Sequence, residues 1–206
     1  MNVLLINGSP RERGCTYTAL SEVAGALGAN GIEANIHHIG SAPVQDCTAC
    51  GGCREAGYCV HKGDSVNACA DLLEKADGLV VGSPVYYAGP TGSICSFLDR
   101  LFYHKGAKYM YKPAAVVVSC RRAGSTASLD RLYKYFSLSG MPIVSSQYWA
   151  MVHGNTPDEV RQDLEGMQIM RTLGNNMAWL LKCIDAARGT VPLPSREARV
   201  GTNFIR

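Results

Sequence analysis

Asn2-Val3-Leu4-Leu5-Ile6-Asn7-Gly8-Ser9-Pro10-Arg11-Glu12-Arg13-Gly14-Cys15-Thr16-Tyr17-Thr18 carries an apolar run of strand length into a small-residue turn and then into a helical stretch reaching Leu27. A short aliphatic run followed at once by a helix is the first half of a strand-helix-strand unit. The same alternation continues along the chain. Further strands are expected at Ile32 to His38, Gly78 to Gly82, Ala114 to Ser119 and Pro142 to Ser146. All are short, mostly apolar and β-branched, as strands covered on both faces are. Helices are expected near Thr16 to Leu27, Asp64 to Ala76, Thr91 to Phe102 and Ser125 to Ser139. A last helix takes Thr156 as its cap, Pro157 in its first turn and Asp158 and Glu159 at its positive end. It runs to about Ala187 unless Gly166 or Gly174 breaks it. The pattern predicts an α/β fold: a doubly wound five-stranded parallel sheet of order 2-1-3-4-5 with helices on both faces. The tail at 188–206, with Pro192, Pro194 and Gly201, reads as extended chain packing on a neighbouring surface.

A chain of 206 residues suffices for one well-buried core, and 1–206 is read as a single domain. A hydrophobic fraction of 47% with 18% charged residues is that of an ordinary globular protein, so a disordered or fibrous chain is excluded. The net charge of +3 is small and scattered, and Arg121-Arg122 is the one adjacent basic pair in the central body. That argues against a nucleic-acid partner. No apolar run approaches membrane-spanning length, and Val3 to Ile6 is too short for the core of a signal peptide. The expectation is a cytoplasmic protein with no membrane partner.

The first loop has a chemistry of its own. A hydroxyl-rich turn entering a helix N-terminus favours an anion, because backbone N–H groups and the helix dipole both point there. Ser9, Thr16 and Thr18 offer hydroxyls, and Arg11 or Arg13 can pair the charge. G-x-G-x-x-G is missing, and the second strand ends in His37-His38 without an acidic residue for a ribose. A dinucleotide site is therefore disfavoured. After the third strand comes Gly82-Ser83-Pro84-Val85-Tyr86-Tyr87-Ala88-Gly89-Pro90, and after the fourth Ser119-Cys120-Arg121-Arg122-Ala123-Gly124-Ser125. In the expected strand order, the carboxyl ends of strands one and three flank the binding crevice. One loop brings phosphate donors and the other flat rings beside backbone amides, which suits a mononucleotide with a large planar head.

Residues 40–63 break the rhythm, with neither strand nor helix period over a length that in a compact domain signals function or disorder. They hold Cys47, Cys50, Cys53 and Cys59, a C-x2-C-x2-C-x5-C pattern. Thiolates at intervals of three let a loop curl over one face of an iron–sulfur cluster while the fourth closes it. Gly51 and Gly52 supply positive-φ freedom where backbone passes close to inorganic sulfide. Zinc usually joins two Cys pairs across a longer insertion, and nine cysteines, an odd number, suit a reducing compartment rather than a disulfide scaffold. Zinc and free redox thiols remain the alternatives. Cys69, Cys95 and Cys183 fall in helices as small thiols, and Cys15 and Cys120 lie on the other two loops without ligand spacing.

Together these loops resemble the NADPH-dependent FMN reductase family of the flavodoxin-like fold, and with the cysteine quartet they are most similar to its iron–sulfur flavoprotein branch. The resemblance spans residue 1 to about 185. It implies FMN as cofactor. The phosphate would lie at Ser9, Arg11, Cys15, Thr16 and Thr18, and the isoalloxazine at Pro84, Val85, Tyr86, Tyr87, Cys120 and Gly124. Cys15 stands where the family often carries Asn. The quartet matches the branch's [4Fe–4S] motif. Members of that branch pass electrons between a low-potential donor, the cluster and FMN as dimers or tetramers, so the resemblance also implies a homo-oligomer and ferredoxin, NAD(P)H, quinone or flavin as electron partners. Gln147-Tyr148-Trp149-Ala150-Met151-Val152 is too apolar for a routine exposed loop and reads as core or as a subunit contact.

Flavin carries its own hydride and electron chemistry, so no catalytic side chain is required. His61, His104 and His153 read as structural, and Asp64 as a cap for the following helix. Three functions are compatible with these residues: an FMN and cluster electron-transfer protein, an FMN-dependent NAD(P)H reductase of flavins, quinones or nitroaromatics without a cluster, and a flavin- or metal-binding sensor.

Overall fold

The structure, a computed structural model, describes residues 1–198 and 200–202. Arg199 and residues 203–206, the end of the predicted extended tail, lie outside the described residues. Five parallel strands form the sheet: β1 (Asn2–Asn7), β2 (Glu33–His38), β3 (Gly78–Tyr86), β5 (Ala114–Cys120) and β6 (Met151–His153). β4 (Gly89–Pro90) is a two-residue strand folded back antiparallel onto β3, and the order across the sheet is β2-β1-β3-β5-β6. With β4 set aside, this is the expected doubly wound order. The central register pairs Val3 with Gly78 and Leu79 with Ala114.

Period-two alternation divides the apolar side chains between two cores. Leu4, Ile6, Leu79, Val81, Val116 and Val118 meet α3 (Val66–Lys75), α4 (Gly92–Lys105) and α5 (Ser125–Leu138). Val3, Leu5, Val80, Ala115 and Val117 meet α1 (Cys15–Ala29) and α7 (Leu164–Ala187). All seven residues of β5 are buried, whereas β2, on the sheet edge, alternates exposed and half-buried positions rather than being covered on both faces. α1 and α7 approach closely at Gly174, where a Cβ would stand 2.7 Å from Ala26 Cβ and 2.8 Å from the Val23 carbonyl. That glycine therefore serves packing and does not break the helix.

The break comes earlier. α6 (Pro157–Gln162) ends at Asp163, whose carboxylate accepts from Gly166 N at 2.9 Å and from His153 N at 2.7 Å. Asp at a cap position competes for backbone donors and restarts the helix as α7. The predicted strand Pro142 to Ser146 is also corrected. Residues 142–144 make only an isolated bridge to Ala114, and the strand proper is Met151–His153, paired with Val118, Ser119 and Cys120. Between them the chain leaves the sheet because α7 takes its polar groups: Ser146 Oγ donates to the Ile169 carbonyl at 2.7 Å and Asn176 Nδ2 to the Ser145 carbonyl at 2.9 Å. β3 runs four residues past Gly82 through its pairing with β4 and β5. A one-turn helix, α2 (Cys53–Ala56), lies inside the segment expected to be irregular, closed by Gly57 in the left-handed region.

Candidate functional site

The loops leaving β1, β3 and β5 gather at the carboxyl edge of the sheet. Buried Asn7 organises the first: its amide donates to the Glu12 carbonyl at 2.9 Å while its oxygen accepts from Ser9 N at 3.1 Å. Ser9 Oγ in turn accepts from Arg11 N at 3.1 Å, and His38 Nε2 donates to the Ser9 carbonyl at 2.8 Å. The loop is thereby fixed before any ligand arrives. α1 then begins after Gly14 with no side-chain cap, leaving first-turn amides free for an anion. Arg11 and Arg13 are both exposed, but Arg13 lies over the Tyr17 ring at 6.0 Å. Arg11 acts on the helix start itself. Burial raises the Cys15 thiol pKa, and the Arg11 charge partly offsets that rise.

The remaining hydroxyls of the first loop are tied into the scaffold. Thr16 Oγ1 shares a 2.8 Å hydrogen bond with Ser119 Oγ, and Thr18 Oγ1 donates to the Gly14 carbonyl at 3.2 Å. Cys15 Sγ donates to the Gly154 carbonyl at 3.7 Å.

The second loop is a hairpin rather than a free turn. Pro84 is paired with Ser119, Val85 with Pro90 and Tyr86 with Gly89, leaving Tyr87-Ala88 as a two-residue connection. Both take positive φ, 47° and 59°, the left-handed pair that a tight hairpin of this twist needs and that Asn-Gly usually supplies. Holding two residues with side chains there costs of order 1 to 2 kcal/mol each. Strain of this kind collects at ligand sites. Tyr86 is half exposed and Tyr87 wholly so. Thr91 anchors the hairpin to the first loop, donating through Oγ1 to the Gly8 carbonyl at 3.0 Å. From the third loop, Gly124 (φ 88°) sits against it so closely that a Cβ would stand 2.6 Å from Ala88 Cα. Cys120 is buried at the end of β5, and burial raises its thiol pKa.

Cys47, Cys50, Cys53 and Cys59 line one pocket with His61, Arg100, Tyr103 and His104. Gly51 adopts the left-handed region, whereas Gly52 is helical and caps α2, so only the first of the two glycines supplies the expected freedom. Arg100 of α4 is the residue sequence reasoning missed. It is almost wholly buried; its Nε donates to Cys59 Sγ at 3.1 Å and its Nη2 to the His61 carbonyl at 2.9 Å. Its Nη1 donates to the Gln45 carbonyl at 3.2 Å and pairs with Asp64. Asp64 thus does more than the expected capping, in which it accepts from Val66 N at 3.1 Å. His61 and His104 make hydrogen bonds within this region. His61 Nε2 lies 3.0 Å from Thr48 Oγ1, and His104 hydrogen-bonds the Arg100 carbonyl through Nδ1 while its buried Nε2 has no partner.

Among the described residues, no group of three or more His, Cys, Asp or Glu side chains is drawn together as donors to one metal ion. A cubane asks for something else, four sulfurs spread over its corners rather than converging on one atom. Four thiols lining one pocket, with an Arg donor on one of them, fit that demand in kind.

A family model described as NADPH-dependent FMN reductase matches residues 1–156. The chain belongs to that family. As a member of it, this chain is an FMN-dependent oxidoreductase. An iron–sulfur flavoprotein of Methanocaldococcus jannaschii is 27% identical over 192 residues, spanning 89% of this chain and 99% of its own. Among solved structures, RosB with a bound 8-demethyl-8-formylriboflavin-5'-phosphate intermediate superposes with a TM-score of 0.69 at 15% identity, covering 100% of this chain and 94% of its own. A WrbA-like flavodoxin from Agrobacterium tumefaciens gives 0.61 at 18% identity, with 88% and 98% covered. These likenesses establish the flavodoxin-like fold. No helix among the described residues is long and apolar enough to cross a membrane.

Proposed function

We propose that this protein is an electron-transfer flavoprotein in which a [4Fe–4S] cluster, held by Cys47, Cys50, Cys53 and Cys59, exchanges electrons with FMN. The observation that carries the reading is that all four cysteines line one pocket. The name of the Methanocaldococcus relative supports it. The cluster would supply one-electron steps and FMN either one- or two-electron steps. The chain's own residues bind and tune. Ser9, Arg11 and the first-turn amides of α1 at Cys15 and Thr16 surround the FMN phosphate, with Thr18 bracing that turn through the Gly14 carbonyl; Pro84, Val85, Tyr86, Tyr87, Cys120 and Gly124 surround the ring. Electrons would enter from ferredoxin or NAD(P)H and leave to a quinone or flavin. Iron, sulfide and flavin analysis after anaerobic purification tests this reading. FMN with no iron, before and after reconstitution, would transfer the assignment to a plain NAD(P)H-dependent reductase.

Arg11, not Arg13, is the phosphate partner in this scheme, because Arg13 is occupied by the Tyr17 ring. Arg11→Ala removes one charge-assisted contact and should weaken FMN binding about ten- to a hundredfold in isothermal titration, while Arg13→Ala changes it little. Equal effects of the two substitutions would sink the assignment.

The protein would work as a homodimer or homotetramer joined through the excursion before β6. There Tyr148 and Trp149 pack on each other with ring centroids 4.9 Å apart and remain more than half exposed, while Ala150 to Val152 turn inward as core. Paired exposed aromatics of this sort anchor interfaces. Sedimentation should give an oligomer for the wild type and a monomer for Trp149→Glu; a monomeric wild type at micromolar concentration would end this part of the scheme.

A further inference from the structure

Arg100 occupies a position that apolar residues would normally fill. It flanks the stripe of α4 formed by Ile94, Phe97, Leu98 and Leu101, all fully buried, and is itself 2% exposed. A guanidinium survives there only if its donors are met, and it meets them entirely within the cysteine loop and its far end. Nη1 takes the Gln45 carbonyl before the quartet, Nη2 the His61 carbonyl after it, and Nε the sulfur of the last cysteine. Asp64 pairs with the guanidinium at Nη1, while Nε keeps its N–H on the sulfur. The fork geometry matters: an ammonium is a compact point charge and does not reproduce a guanidinium that donates from three separate nitrogens.

We propose that Arg100 is a positioning residue that clamps the two arms of the 45–64 loop together, fixes Cys59 as a ligand, and stabilises the extra negative charge of a reduced cluster through its hydrogen bond to the Cys59 sulfur. The second half rests on the cluster reading above; the first does not. A donor on a ligand sulfur, particularly a cationic one, favours the more negative oxidation state and raises the reduction potential.

Two measurements separate these halves. In protein stripped of iron and loaded with FMN, pulse alkylation with iodoacetamide and peptide mass spectrometry should find Cys50 fast and Cys59 slow, in keeping with their exposures. Arg100→Met should speed alkylation of Cys59 at least tenfold while Cys69 stays protected. In reconstituted protein, titration with a low-potential one-electron chemical reductant followed by paramagnetic resonance should show the reduced form of Arg100→Met disfavoured about tenfold, a fall of about 59 mV for one electron. Arg100→Lys keeps the charge without the fork and should show a smaller fall with Cys59 still exposed. The double variant Arg100→Met/Asp64→Asn removes both buried charges, so a folded protein is available if the single variant collapses, and it should behave as Arg100→Met does at Cys59. Unchanged Cys59 protection overturns the clamp. Lower iron content with an unaltered midpoint overturns the electrostatic role and leaves Arg100 as scaffold only. Should the wild type take up no cluster at all, the proposed function fails while the alkylation result still decides the clamp.

Discussion

Replacing Cys47, Cys50, Cys53 or Cys59 with Ala, one at a time, is expected to abolish the stoichiometric [4Fe–4S] signal or convert it to a smaller cluster, whereas Cys69→Ala and Cys183→Ala keep it. The effect should be nearly all-or-none because, in the proposed site, each thiolate would hold one corner. The two controls differ from the quartet for physical reasons. Cys69 is fully buried in α3 among core side chains, and burial pushes its thiol pKa up to about 12, which disfavours the thiolate that a cluster ligand requires. Cys183 is exposed on α7, a helix that packs on the α1 side of the sheet, while the cysteine loop is held by α4 on the other. Iron and sulfide quantitation with paramagnetic resonance of the reduced protein measures the outcome. Full cluster content in any quartet variant removes that residue from the ligand set; loss in Cys183→Ala means the cysteines counted as ligands are the wrong ones.

The frame of this fold was legible because its strands are short, aliphatic and separated by helices, and local pattern then determines which face each residue takes. Legibility failed where long-range partners override local pattern. Pro142 to Ser146 has strand composition, yet Ser145 and Ser146 are bonded to Asn176 and Ile169 of α7, groups that no window around residue 144 contains. Tyr87 and Ala88 gave no warning of a left-handed hairpin, since neither is a residue that favours positive φ. The quartet's spacing could be read directly, but the residue that binds its arms together could not, because Arg100 is 41 residues from Cys59. A signal did exist. On helical spacing, Arg100 follows Phe97 by three and flanks the apolar stripe of Ile94, Phe97, Leu98 and Leu101, a position where a buried charge must be paired or functional. His38 was read only as the lack of an acidic ribose ligand, whereas it supports the first loop through the Ser9 carbonyl.

Gly124→Ala is expected to cut FMN affinity at least tenfold without unfolding the protein. Two penalties act at one atom. The residue holds φ at 88°, where an L side chain costs about 1 to 2 kcal/mol. The added Cβ would also stand 2.6 Å from Ala88 Cα and 2.9 Å from Val85 Cγ1. The first of these neighbours is backbone in a hairpin already strained at Tyr87 and Ala88, so rotating a side chain cannot relieve the contact and the hairpin must shift. The core should be spared. β5 is buried throughout, and Gly124 lies beyond its end, at the start of α5. Ala88→Gly serves as a diagnostic companion. It removes the Ala88 Cβ, which would lie 3.2 Å from the new atom, but not the Cα, so the double variant Gly124→Ala/Ala88→Gly should bind FMN about as poorly as Gly124→Ala alone. Flavin fluorescence titration gives the affinity, and far-ultraviolet circular dichroism of the flavin-free protein reports whether the sheet survives. An intact sheet with undiminished affinity would mean that the 83–90 hairpin does not contact the isoalloxazine, and the ring would then have to lie against the first loop and the residues after β5 without Tyr86 or Tyr87.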